Sequence, residues 1–185
     1  MMLQPNERKT FFRNWLGLLA FANDKYGIVG GFGHPKSPVG LDFEIVVKIK
    51  KKIWENTKII DDYIDSVWDM SKDDIQLLKG WKNKAEGPFT ILKHLKKHSV
   101  FVDDKNDLLY GVIGISNPIS ESIPAERLPI MVETVLLPFE NRIIYDSVFE
   151  VYNIQYGPNI RRSYKEKYSE IKEKKGIKTT LGYSL

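Results

Sequence analysis

Residues 85–89, "AEGPF", divide the chain into two periodicities that no single kind of element can carry. Before this stretch, apolar residues recur at spacings of three and four. After it, β-branched and aromatic residues come in short runs broken by turn residues. Side chains regain one face about every 3.6 residues on a helix and every second residue on a strand, so the change predicts helices first and strands afterwards.

In the first part, Thr10 is a candidate N-cap. Phe11, Trp15, Leu18, Leu19, Ala22 and Tyr26 then share one face, and Gly27 supplies a stop, which predicts a helix over 8–26. Residues 27–40 hold five glycines and two prolines and read as a loop. The loop lacks the Gly-Lys-Ser/Thr ending that a phosphate-binding loop needs. Asp42 is expected to cap a second helix carrying Ile45, Val46, Ile49 and Ile53, with Lys50, Lys51 and Lys52 on its wet side. Asn56 interrupts it, and Ile59, Ile60, Tyr63, Ile64 and Val67 begin a third. Ser71 with Asp74 forms a capping-box pattern that opens a fourth, ahead of Ile75, Leu78 and Trp81.

In the second part, strands are expected at 88–95, 98–103, 107–115, 131–137, 142–148 and 150–156. The hairpin in "MVETVLLPFENRIIYD", 131–146, is the firmest of these signals. A meander of this kind must close on itself or cover its edges, which predicts a bent antiparallel sheet or a small barrel. Residues 116–129 carry three prolines and read as an ordered surface connection. Ile160, Tyr164, Tyr168 and Ile171 make an apolar stripe on a final helix that Gly176 ends. The expected class is therefore α+β. Residues 1–87 form a helical part and 88–185 a β part with a C-terminal helix, together one cooperative unit.

A chain with no cysteine has no disulfides, thiolate metal sites or cysteine nucleophiles, and this fits a reducing compartment. No stretch approaches the ~20 apolar residues of a membrane span, and "MMLQPNERKTFF" lacks the apolar run of a secretion signal. A soluble cytoplasmic protein without a membrane partner or cofactor is expected. His94 and His98 stand four apart, but they fall on two strands and their turn, so no metal site is expected there.

The net charge of +4 is concentrated in the tail, where residues 157–185 carry eight basic and three acidic side chains. Within it, "GPNIRRSYKEKY", 157–168, sets a helix start beside two arginines. First-turn amides have no intrahelical partner, and arginine presents a planar fork of donors, so Gly157, Asn159, Arg161 and Arg162 are a candidate anion site. Tyr152 and Tyr156 stand nearby as aromatics for base stacking. The leading expectation is a non-enzymatic binding module for nucleic acid or for an acidic partner surface. The alternative is an enzyme using carboxylates such as Glu133, Asp146 and Glu150, with arginine, in a cleft between the helical and β parts. A purely structural role is also open, in which one arginine pairs with Asp146 or Glu150 and ties the helix to the sheet. Arg161 is expected to lie nearer the buried stripe than Arg162.

The stretches "LPIMVETVLLPFENRIIYDSV" (128–148) and "NIQYGPNIRRSYKEKY" (153–168) resemble a bacterial family of uncharacterised proteins. "NWLGLLAFANDKYGI" (14–28) and "KIKKKIWEN" (48–56) are similar to that family's first half. The resemblance implies a stand-alone bacterial protein and brings no activity, ligand or partner with it.

Overall fold

A computed structural model describes residues 1–182, which divide into two compact units: residues 4–82, and residues 1–3 with 83 onward. The boundary precedes the "AEGPF" stretch instead of falling within it, because Ala85–Glu86 already forms the first strand, β1. The chain is α+β, about 45% helix and 20% strand, with helices leading, a sheet following and a helix last.

The first unit holds four helices: α1 (Pro5–Tyr26), α2 (Phe43–Glu55), α3 (Lys58–Ser66) and α4 (Lys72–Gly80). Helix α1 begins earlier than expected. Its N-cap is Gln4, whose backbone N–H donates to Glu7 at 2.8 Å, and Thr10 lies inside the helix. It ends where expected, on Gly27 in the left-handed region at φ 60°. Asp42 caps α2 by accepting from the amides of Glu44 and Ile45. The core is aromatic: Trp15 stacks on Trp54, with ring centres 5.7 Å apart, and meets Trp81 edge-on at 5.9 Å.

Ser71 caps α4 as the pattern predicts, accepting from the amide of Asp74. The Asp74 carboxylate also does what local spacing does not predict. It accepts from Asn14 Nδ2 at 2.6 Å, from Arg13 at 2.7 and 2.8 Å, and from the Ser71 hydroxyl at 2.7 Å. Burial pushes this carboxyl up, but the donors from Asn14, Ser71 and Arg13 outweigh it and hold it below the ordinary aspartate value.

The second unit is one eight-stranded sheet in the order β1-β6-β7-β4-β3-β2-β5-β8. After β1 come β2 (Phe89–His94), β3 (Ser99–Asp103), β4 (Leu108–Val112), β5 (Ile130–Glu133), β6 (Val135–Phe139), β7 (Arg142–Tyr145) and β8 (Glu150–Val151). A short helix, α5 (Ile119–Ser122), lies in the proline-rich connection, and the long helix α6 (Pro158–Lys175) follows β8.

The sheet is open, with β1 and β8 at its edges, so the barrel alternative does not hold. It is also not wholly antiparallel, since β4 and β7 run parallel where Val112 faces Ile143. That contact is short, and the rest of the β4 edge is completed by chain termini. The segment after α6 bonds through Lys178 to Leu109 and Gly111, both at 2.8 Å, and Leu3 and Met1 bond to Gly114 at 3.0 Å. These contacts occupy backbone groups that an open strand edge would present to other chains.

The expected strand 131–137 is two strands broken at Thr134. β5 pairs with β2 and β8, whereas β6 pairs with β1 and β7. The break carries its own polar anchor: the buried Thr134 hydroxyl donates to Asp146 at 3.0 Å and lies equally close to the Val148 carbonyl. Strand 150–156 shrinks to two residues, and strands 107–115 and 142–148 also end short of their expected limits.

All five residues of β3 are buried, because both faces of the sheet are covered. Phe101 faces a cluster with Phe89, Tyr110 and Val132, while Val100 and Val102 meet Tyr168 and Ile171 of α6. The tail stripe is therefore Tyr164, Tyr168 and Ile171. Ile160 is not part of it, being about half exposed at 48%.

Candidate binding groove

The site begins with an irregularity in β2. Ile91 faces Phe101 and Lys93 faces Val100, so Leu92 is an extra residue with no partner across the ladder. Successive residues of a regular strand point to opposite faces, but a bulge breaks the alternation and re-aims the side chains beside it. Leu92, Lys93 and His94 consequently line one groove, although they are consecutive.

Helix α6 forms the second wall with Arg161, Lys165, Tyr168 and Ser169. These fall at i, i+4, i+7 and i+8, which is one helical face. The third wall is the connection before β5, through Ala125, Leu128 and Pro129. The groove encloses about 650 Å³, within the range of ordinary ligand clefts.

Its chemistry is one-sided. Lys93, Arg161 and Lys165 line it together with His94, and among the described residues no carboxylate does. The Lys93 ammonium sits 3.6 Å from the centre of the Tyr168 ring, so the aromatic face meets a cation rather than bulk water. Among the described residues, neither Lys93 nor Lys165 has a carboxylate within 4.0 Å. Leu92, Ala125, Leu128, Pro129 and Tyr168 supply apolar surface between the charges.

The groove's polar side chains are held in place. Arg161 donates from Nε to the Tyr156 carbonyl at 2.9 Å and from a terminal nitrogen to the Leu128 carbonyl at 3.1 Å. Two of its five N–H donors are thus spent on the walls and the others remain for a ligand. His94 Nε2 lies 2.8 Å from the Ile123 carbonyl, which can only accept, so Nε2 carries a proton. Nδ1 meets the Ser99 hydroxyl at 2.7 Å.

A hydroxyl chain fixes α6 against the sheet. The Tyr164 hydroxyl donates its one proton to Asp104 at 2.7 Å, so it must accept from Thr90 at 2.9 Å, and Thr90 must in turn accept from Tyr156 at 3.2 Å. Burial, joined by the Asp104 carboxylate, pushes the Tyr164 hydroxyl far above its ordinary value, which keeps the donor proton in place. The Tyr145 hydroxyl is likewise pushed up to about 12 by burial and by the neighbouring Asp146 charge.

The residues singled out from sequence are dispersed. Gly157 is the N-cap of α6, Pro158 follows it, and Asn159 is exposed in the first turn. Arg161 is in the groove, but Arg162 is turned away, its side chain 75% exposed and 4.0 Å from Glu166. Tyr156, expected as an exposed stacking ring, is only 8% exposed and its hydroxyl belongs to the chain just described. Tyr152 is exposed and donates to Glu133 at 2.8 Å. Neither arginine pairs with Asp146 or Glu150: Asp146 is fully buried against Thr134, and Glu150 faces Glu133 across β5 and β8. None of these three acids lines the groove.

Sequence reasoning missed Lys93, Lys165 and Leu128, and weighed His94 only as a metal ligand. The 161, 165, 168, 169 spacing was present in the sequence beside the apolar stripe, but the bulge that turns Lys93 to meet it is a tertiary feature.

Arg161→Ala is expected to lower stability by ~1–2 kcal/mol, because two bonds from a charged donor to backbone carbonyls are lost at a partly exposed site. Arg162→Ala should stay within ~0.5 kcal/mol. Urea titration of both variants checks this, and equal midpoints would contradict it.

Searches against protein-family models, curated proteins and solved structures find no match to the chain. Among the described residues no helix is long and apolar enough to cross a membrane.

Proposed function

We propose that this is a non-enzymatic binding module whose groove takes an acidic segment of a protein partner. The observation that carries the reading is a set of three cations around an apolar floor, with no carboxylate lining it among the described residues. A peptide segment with acidic and apolar side chains satisfies both halves of that lining.

Nucleic acid is the less favoured anion. Much of the tail's charge is spent locally: Lys167 pairs with Asp104 and Asp107, both at 2.9 Å, Lys174 pairs with Glu170 at 2.7 Å, and Lys175 donates to the Asp107 carbonyl. No long basic stripe remains along α6 to follow a phosphate backbone, and of the two tyrosines one is buried. The resemblance to a bacterial family and a cytoplasmic location remain parts of this reading.

The test compares an acidic peptide containing one aromatic residue with single-stranded RNA of equal charge, each titrated into the wild-type chain and into Lys93→Glu/Lys165→Glu. The peptide is expected to bind more tightly than the RNA, and the double reversal to weaken it at least tenfold. Tighter RNA binding, or peptide binding unchanged in the variant, would overturn the reading.

A further inference from the structure

The turn between α3 and α4 holds the most exposed tryptophan of the chain. Trp68 is 95% exposed, and Val67 beside it is 39% exposed. Tryptophan carries a large apolar area and is enriched among residues that dominate protein interfaces, so a bare indole on a turn is an anchor without its pocket. The turn has a defined shape: Val67 N–H bonds to the Ile64 carbonyl at 3.4 Å, and Asp69 sits in the left-handed region at φ 77°.

The charges around it are acidic. Asp65 and Asp69 flank Trp68 and are exposed, and among the described residues neither has an ion-pair partner. Two other acids of the segment are already satisfied, Asp61 by Lys82 and Asp62 by Lys25.

The chain thus displays two surfaces of complementary chemistry. One is an exposed indole between two free carboxylates; the other is a groove of about 650 Å³ with an apolar floor and three cations. We propose that the acidic partner of the groove is the 65–69 turn of a second copy of this chain. Trp68 enters against Leu128, Pro129 and Tyr168, and Asp65 and Asp69 meet Lys93, Lys165 and the unused donors of Arg161. This rests on the groove reading and names its partner. Because turn and groove are different surfaces, the contact is head-to-tail, and association is not limited to two copies unless the geometry closes a ring.

Sedimentation velocity of the full chain at low salt, across a concentration series, tests this. The wild type is expected to show a sedimentation coefficient that rises with concentration. Trp68→Ala should weaken association by roughly tenfold or more, as loss of an anchor residue does. Lys93→Glu/Lys165→Glu and Asp65→Lys/Asp69→Lys should each sediment as monomers alone, and mixing the two should restore association. A wild type that stays monomeric throughout, or association that survives Trp68→Ala, would overturn the proposal. If the wild type is monomeric while the acidic peptide still binds the groove, self-recognition falls and the groove reading stands. If neither occurs, both fall.

Discussion

Asp74→Ala is expected to destabilise residues 4–82 by about 3 kcal/mol at neutral pH, and by less in acid. The side chain is buried and accepts four hydrogen bonds, from Asn14, Ser71 and twice from Arg13. Removing it strands one N–H of the buried Asn14 amide, whose other N–H still donates to the Thr10 carbonyl at 3.0 Å, and a stranded buried donor costs ~1–3 kcal/mol. Loss of the charged acceptor for Arg13 and of support for the Ser71 cap adds to this, although the Arg13 end of the pair is 64% exposed and contributes less than a buried partner would. The carboxyl is held below its ordinary value in the folded chain. Its ionic contribution is therefore complete above the unfolded value of about 3.9 and is lost as pH falls through the lower folded value. The four tryptophans, at 15, 54, 68 and 81, all lie in residues 4–82, so urea unfolding followed by tryptophan emission reports this unit. The gap between wild type and variant should narrow from pH 7 to pH ~3. A gap of the same size at both would contradict the account.

Gly114→Ala should be at least as damaging, by ~3 kcal/mol or more, to the unit that holds the sheet. A methyl at this position would lie 1.8 Å from the backbone carbonyl oxygen of Asn117 and 2.8 Å from its carbon. Neither atom belongs to a flexible side chain that swings aside, so the backbone must move. The same residue bonds to Met1 and Leu3, and displacing it breaks the bridge by which the N-terminus covers the end of the β4 edge. The expected result is a far-UV circular dichroism melt at least several degrees below wild type. An unchanged midpoint would show that the close approach is not a real constraint.

The sequence made the helical half legible because each of its helices advertises itself locally. Asp42 and Ser71 are caps whose side chains reach amides two or three residues away, and Gly27 ends α1 through its own backbone conformation. What it did not show is the use of Asp74 as a meeting point for α1 and α4, since Arg13 and Asn14 lie about 60 positions away in sequence. In the β half, the short turn at Glu140 and Asn141 marks the β6–β7 hairpin, with Glu140 at φ 51°. The strand before it looked continuous because "IMVETVLL" has no turn residue, and the break at Thr134 exists only because its two halves pair with different neighbours.

The candidate site shows the same division. Arg161 was found because a helix start and an arginine pair are local, and its separation from Arg162 follows from the turn of a helix. Lys93 and Lys165 are ordinary surface lysines by sequence. They become neighbours of one groove only when a bulge redirects β2 and α6 docks along the sheet, held by Tyr164, Thr90 and Tyr156. Tyr156 was misjudged as exposed for a related reason. Its segment carries no strand pairing that would give its facing, and the hydroxyl it bonds to belongs to Thr90, 66 positions earlier.

The most direct test of the central claim is amide chemical-shift mapping of the wild-type chain as the acidic, aromatic-bearing peptide is added. The account predicts that the largest shifts fall on residues 92–94, 125–129 and 161–169, the three walls of the groove. Shifts confined to other surfaces, or to the first turn of α6 at 157–160 without 92–94, would contradict it.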